Sequence, residues 1–175
     1  MESIPEGLEY GPNRTIQPSI YESWLGLIKK AEKSIDIASF YWSLRGKDVV
    51  PHPSAWKVCV ILFPNCYLAN VLIDKCLSQQ GEIVFQELKE AALNRGIRIR
   101  VAQNQPSKSA PDEDTRELKE LGAAVVRNLD FSRLVGAGIL HTKLWVVDNK
   151  HFFVGSANMD WRSLTQVKSL NVSSV

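Results

Sequence analysis

A chain of 175 residues, 45% hydrophobic and 23% charged, has the profile of one folded globular domain, so a disulfide scaffold or a structural metal is not needed to hold it together. A net charge of +2 allows a phosphate-bearing ligand without pointing to one, because non-specific nucleic-acid binders carry a stronger basic excess. Cys59, Cys66 and Cys76 crowd one short stretch, an odd set with no His pair nearby, which argues against both a disulfide framework and zinc.

In chain order, Met1 to Pro18 lacks a basic stretch leading into an apolar run, so no signal peptide is expected and the chain alone reads as cytosolic. Ser19 and Glu22 form a capping-box pattern that opens a first helix. Ile20, Trp24, Leu27, Ile28 and Ala31 supply its apolar stripe. Ser34 to Trp42 reads as a strand. Val49 to Gln80 breaks the rhythm, with apolar runs at Val58 to Phe63 and Tyr67 to Ile73 divided by Pro64 and Asn65. It is short and interrupted for a bilayer span. A buried hairpin or helix, or an insertion over 55–79, are the other readings. A helix from Glu82 to Asn94 follows, stopped by Gly96, with its strand at Ile97 to Val101. A third helix from Glu113 to Leu121 ends at Gly122 and feeds a strand at Ala123 to Arg127. Helices alternating with short strands predict an α/β layered fold in one domain, 1–175. The triplets Asn13-Arg14-Thr15 and Asn171-Val172-Ser173 match glycosylation acceptors, a pattern that arises readily by chance.

The chemistry concentrates in Ile139 to Leu164, within the region 136–163, where His141, Lys143, Asp148, Gly155, Ser156 and Asn158 follow the spacing H-x-K-x4-D-x6-G-S-x-N. With each residue type at roughly 5%, a chance match at one start point is on the order of 10⁻⁸. Ile139 to Val147 reads as a strand, Asp148 to Lys150 as its turn and His151 to Val154 as the return strand. Residues two apart on a strand share a face, so His141 and Lys143 project together. Gly155 would let the backbone approach a ligand, and Ser156 to Asn158 would open a helix whose free N–H groups favour an anion. An imidazole can attack phosphorus, while Lys143 and Asn158 can donate to non-bridging oxygens as negative charge builds up. The motif gathers no carboxylates that would require a divalent metal, so no metal and no cofactor is expected. Asp148 is the weakest member, since an Asp in a hairpin turn needs no catalytic explanation. Trp24, Trp42 and Trp145 read as core, His151 as a solvated strand residue, and His52 carries no signal.

These residues resemble the phospholipase D superfamily, whose signature is the HKD motif. The match runs on through Met159 to Lys168 (MDWRSLTQVK) and includes MESIPEGL at the start and SIDIASFYWSL on the first strand. It is similar to the endolysosomal branch, the third and fourth phospholipase D paralogues, over about 2–44, 81–100 and 138–168. The resemblance implies an α/β/α sandwich with a mixed sheet carrying one HKD half. It implies a phosphodiesterase working through a phosphohistidine, a 5′-3′ exonuclease on single-stranded DNA or RNA with lipid transphosphatidylation also attributed to the branch. His141, Lys143 and Asp148 would be catalytic, and Gly155, Ser156 and Asn158 would bind substrate. Partners would be single-stranded nucleic acid or phospholipid, and a second HKD motif from a C-terminal half or a homodimer partner. The setting implied is the endolysosomal lumen, reached from the endoplasmic reticulum membrane, although this chain shows no signal or anchor of its own. The alternative is a catalytically incomplete fragment acting as a phosphate-binding or regulatory module.

Overall fold

A computed structural model describes residues 2–3, 11, 17–45, 79–167 and 169–174. The expectations placed on Cys59, Cys66, Cys76, His52 and the insertion over 55–79, apart from Gln79, lie outside these. Strand β1 is Glu2–Ser3, helix α1 is Ile20–Lys30, β2 is Ser34–Ser39 and β3 is Trp42–Ser43. Helix α2 (Gln79–Leu93) leads to β4 (Arg98–Asn104), and α3 (Glu113–Glu120) leads to β5 (Val125–Leu129) and a short α4 (Phe131–Val135). The chain continues through β6 (Lys143–Val147), β7 (His151–Gly155), β8 (Met159–Asp160), α5 (Trp161–Thr165) and β9 (Ser169–Ser174).

Among the described residues, seven strands make one sheet in the order β1-β9-β7-β6-β2-β4-β5. Strands β2, β4 and β5 run parallel, whereas β6, β7 and β9 pair antiparallel, so the sheet is mixed, as the family resemblance implies. The alternation of side chains sends Ile35, Ile37, Ile99, Val101, Trp145, Val147 and Phe153 into one buried core with α1 and α2. Trp24 of α1 stacks on Trp145 at 5.4 Å and meets Phe153 edge-on at 5.6 Å, which seats the helix over β6 and β7. Of the three layers expected, the described residues supply the sheet and one helical layer. The other sheet face carries Ala38, Ala102, Leu144 and Val146 together with the Arg100–Asp36 pair.

Local chemistry accounts for the ends of these elements. Ser19 Oγ accepts from Glu22 N at 3.1 Å and Ser19 N donates to the Glu22 carboxylate at 2.8 Å, completing the capping box. At the other end of α1, the Arg95 guanidinium donates to the carbonyls of Ile28 and Ala31, satisfying groups that a helix terminus leaves open. Gly96 and Gly122 close α2 and α3 with φ of 69° and 71°, a region that costs glycine little. The predicted strand at 97–101 extends to Asn104, and the predicted strand at Ser34 to Trp42 ends at Ser39 before β3 pairs with β8.

The register fixes where chemistry can occur. Ser39 at the end of β2 faces Gln103 of β4 on one side and Lys143 at the start of β6 on the other. Gly155 at the end of β7 faces Asn171 of β9. The carboxyl ends of β2, β4, β5 and β7 and the amino end of β6 therefore share one edge of the sheet, where open α/β sheets present ligands.

Candidate active site

His141 precedes β6 rather than lying within it, and the residue is exposed. Lys143, the first residue of β6, is 7% exposed. Its ammonium lies 3.1 Å from both His141 ring nitrogens and donates to the His141 carbonyl at 3.0 Å. Burial pushes the Lys143 pKa below that of an ordinary lysine. The ring of His141 packs against Phe40 at 5.0 Å, tilted by 53°. Asn104, at the end of β4, accepts from Leu140 N at 2.9 Å and so pins the residue before the histidine.

Asn158 reaches the same edge from the loop after β7. Its Nδ2 lies 3.5 Å from the Tyr41 hydroxyl, which donates in a short hydrogen bond to Asp160. Tyr41 in turn packs edge-on against Phe40 at 5.3 Å. A continuous path of contacts thus joins the His141 ring, Phe40, Tyr41 and the Asn158 amide. Burial, followed by donation to Asp160, raises the Tyr41 pKa, so its hydroxyl keeps the proton. Beside Phe40 and Tyr41 opens a cavity of about 230 Å³, bounded also by Asn104, Ser107, Pro111 and Ile139. His141, Lys143 and Asn158 are not among its walls, so it flanks these three residues rather than enclosing them.

Three further sequence candidates are engaged by the fold itself. Asp148 stands at the far end of β6, in a turn where it and Asn149 both have φ of 54°. Its carboxylate accepts from the backbone N–H groups of Glu32, Lys33 and Ser34 at 2.8, 2.8 and 2.7 Å. Burial would raise its pKa, but those three donors outweigh it and hold the carboxyl below the usual range. Asp148 ties the β6–β7 turn to the α1–β2 connection and takes no place beside His141. Ser156 bonds to Leu170, with its hydroxyl accepting from Leu170 N at 3.3 Å. A Cβ on Gly155 would collide with the Asn171 side chain, so what approaches this glycine is β9 rather than a ligand.

The expected helix start at Ser156 to Asn158 is also displaced. Helix α5 begins at Trp161, capped by Asp160, which accepts from Ser163 N at 2.7 Å. Ala157 N and Asn158 N are taken by Asn171 Oδ1 at 3.4 Å and Ser163 Oγ at 3.1 Å. These N–H groups therefore serve the loop and are not open to an anion. Sequence reasoning missed Phe40, Tyr41, Asn104 and Asp160. Only Asp160 carried a signal, as an Asp three residues before Ser163 at a helix start. Asn171 is buried against Gly155, so the sequon there is closed to modification in the folded chain.

The protein family described as "Cardiolipin synthase, PLD-like domain" matches residues 57–174. The chain is 48% identical over 174 residues to the "5'-3' exonuclease PLD3" of Xenopus laevis, covering 99% of this chain and 30% of that protein. It therefore spans about a third of the length of the curated relative. Among solved structures it resembles NucT from Helicobacter pylori, with TM-score 0.53 and 16% identity over 86% of this chain and 73% of that one. It likewise resembles Nuc from Salmonella typhimurium, a phospholipase D family member, with TM-score 0.53, 16% identity and coverage of 86% and 71%. Both likenesses concern the fold.

Proposed function

This chain belongs to the phospholipase D-like family, and from that premise we propose that it supplies one half of a phosphodiesterase active site. The observation that carries the reading is the pairing of exposed His141 with the buried Lys143 ammonium at 3.1 Å, at the sheet edge where Asn158 is also held. A neutral imidazole at His141 can attack phosphorus or, when protonated, deliver a proton to the leaving oxygen. Lys143 and Asn158 donate to the non-bridging oxygens, where charge accumulates in transfer. In the full cycle one imidazole bonds to phosphorus as the P–O bond to the leaving group breaks, and a second imidazole protonates that leaving oxygen. Water, deprotonated by the second imidazole, then displaces the phosphohistidine. The sequence contains one H-x-K, so the second imidazole comes from a further segment or a second copy.

The name of the Xenopus relative supports 5′-3′ exonuclease activity; single-stranded nucleic acid is the substrate that the family resemblance implies, and a phospholipid is the other phosphodiester that the same machinery would accept. The resemblance to the endolysosomal branch supports the endolysosomal lumen as its setting. Among the described residues no helix is long and apolar enough to cross a membrane.

The test is release of nucleotides from a 5′-hydroxyl single-stranded oligonucleotide with EDTA present. We expect cleavage that survives EDTA and is lost on His141→Ala. Cleavage retained by His141→Ala would refute the mechanism. Inactivity accompanied by phosphate-analogue binding that His141→Ala and Lys143→Ala abolish would favour the binding-module reading.

A further inference from the structure

We propose that the Tyr41 hydroxyl and the Asp160 carboxylate form a positioning pair that fixes which end of the Asn158 side-chain amide serves the anion site. The inference rests on the reading of Asn158 as a donor to phosphate. A phenol has one proton, and Tyr41 gives it to Asp160. The hydroxyl can then only accept, and it faces Asn158 Nδ2 at 3.5 Å. The reversed amide would set Oδ1 against an oxygen with no proton left to give, so the NH2 end stays at Tyr41. One N–H of that group meets Tyr41 and the other remains for a ligand oxygen. Asn158 Oδ1 is buried without a hydrogen-bond partner among the described residues. The amide is therefore held by its nitrogen end alone, and that hold depends on Tyr41.

Asp160 is itself immobilised. It is 2% exposed, and its Oδ1 accepts from Ser163 N at 2.7 Å, which dedicates Oδ2 to Tyr41. Ser163 Oγ also accepts from Asn158 N at 3.1 Å, closing the loop from 158 to 163 on itself. Tyr41 comes from the β2–β3 connection, next to the Phe40 that packs on His141. The pair thus sets Asn158 relative to the segment that also orients the histidine.

Substitutions at Asp160 can reverse the amide, and this separates positioning from simple support. In Asp160→Asn the cap still requires an oxygen facing Ser163 N, so the new NH2 takes the place of Oδ2 and donates to Tyr41. The tyrosine proton is then released towards Asn158, which turns Oδ1 to Tyr41 and leaves the wrong arrangement for an anion. Tyr41→Phe removes the hydroxyl and lets the amide rotate freely. In the double variant no hydroxyl remains to enforce the reversed orientation.

The experiment titrates tungstate, a phosphate-like oxyanion, into the 175-residue chain by calorimetry, with circular dichroism to verify folding. We expect Tyr41→Phe to weaken binding about fivefold, the scale of one ordinary hydrogen bond, and Asp160→Asn by more than about tenfold, the scale of one to a charged group. The double variant should return to the level of Tyr41→Phe. A merely structural role would make the double variant the weakest of the three, and that ordering overturns the proposal. So does binding by folded Tyr41→Phe and Asp160→Asn within twofold of the unmodified chain while Lys143→Ala loses it. Failure of the unmodified chain to bind, or full binding by Lys143→Ala and His141→Ala, would instead reject the anion site on which the inference stands.

Discussion

Two residues of the six-position pattern, Lys143 and Asp148, sit at opposite ends of a five-residue strand and serve opposite purposes. Asp148 accepts three backbone N–H groups from the α1–β2 connection. Asp148→Ala should cost about 2 kcal/mol in urea unfolding, discounted from three charge-assisted bonds because the site is partly exposed. Asp148→Asn keeps the turn, since Asn tolerates positive φ, but its NH2 would face a backbone N–H and lose part of the interaction. The folded pKa of Asp148 lies below the unfolded value of about 3.9. Its stabilisation is therefore present above about pH 4 and disappears as pH falls through the depressed value, so the gap between unmodified protein and Asp148→Asn should close in acid. Tungstate affinity should be equal in the two at neutral pH. Lys143 behaves in the reverse sense. Its protonated form is the one that holds an anion, and burial lowers its pKa. Anion affinity should then fall with rising pH before an exposed lysine, near 10.4, would lose its charge, as calorimetry across pH 7 to 10 would record. At this scale His141, Lys143 and Asn158 were legible as candidates because their spacing in the chain singles them out. Phe40 and Tyr41 were not, because no local pattern marks a side chain that acts on a residue 117 positions away.

Elements whose signals are local were read closely, and those created by pairing were not. The capping box of α1, the glycine stops of α2 and α3 and the hairpin turn all depend on a few neighbouring residues, and each lies where the sequence places it. Strand β9 and the two-residue β3–β8 pair exist because distant segments meet, and nothing in Ser169–Ser174 alone announces a strand partnered to β7. This is also why Gly155 was assigned to a ligand. From the sequence a glycine before Ser-x-Asn suggests close approach, and the approaching group turns out to be Asn171 of a strand that could not yet be seen. Gly155→Ala should therefore destabilise the chain by about 1–3 kcal/mol, as overpacking does, because the new methyl group meets the Asn171 side chain. Adding Asn171→Ala removes the obstacle, so the double variant should unfold at higher urea than the sum of the two single losses predicts. Simple additivity would mean that the two side chains do not compete for the same space.

At the scale of the whole molecule, one H-x-K in 175 residues is set against a reaction that needs two proton-transferring groups on opposite sides of phosphorus. A single imidazole that has bonded to phosphorus has no free proton for the leaving oxygen in the same step. If two copies of this chain meet to complete the site, the rate must follow the concentration of dimer. Below the dimer dissociation constant, specific activity on a 5′-hydroxyl oligonucleotide should then rise in proportion to protein concentration and level off above it. Mixing with His141→Ala adds a sharper reading. With random pairing in an equimolar mixture at saturating protein, one quarter of the dimers carry two imidazoles, half carry one and one quarter carry none. If both histidines are required, activity per unmodified chain falls to about half, whereas a self-sufficient chain would keep its full value. Specific activity independent of concentration and, per unmodified chain, undiminished by mixing with His141→Ala would show that the second acid lies within this chain. No activity at any concentration, with tungstate binding intact, would assign the second motif to a further segment. The chain's 30% coverage of the Xenopus relative leaves ample length for such a segment.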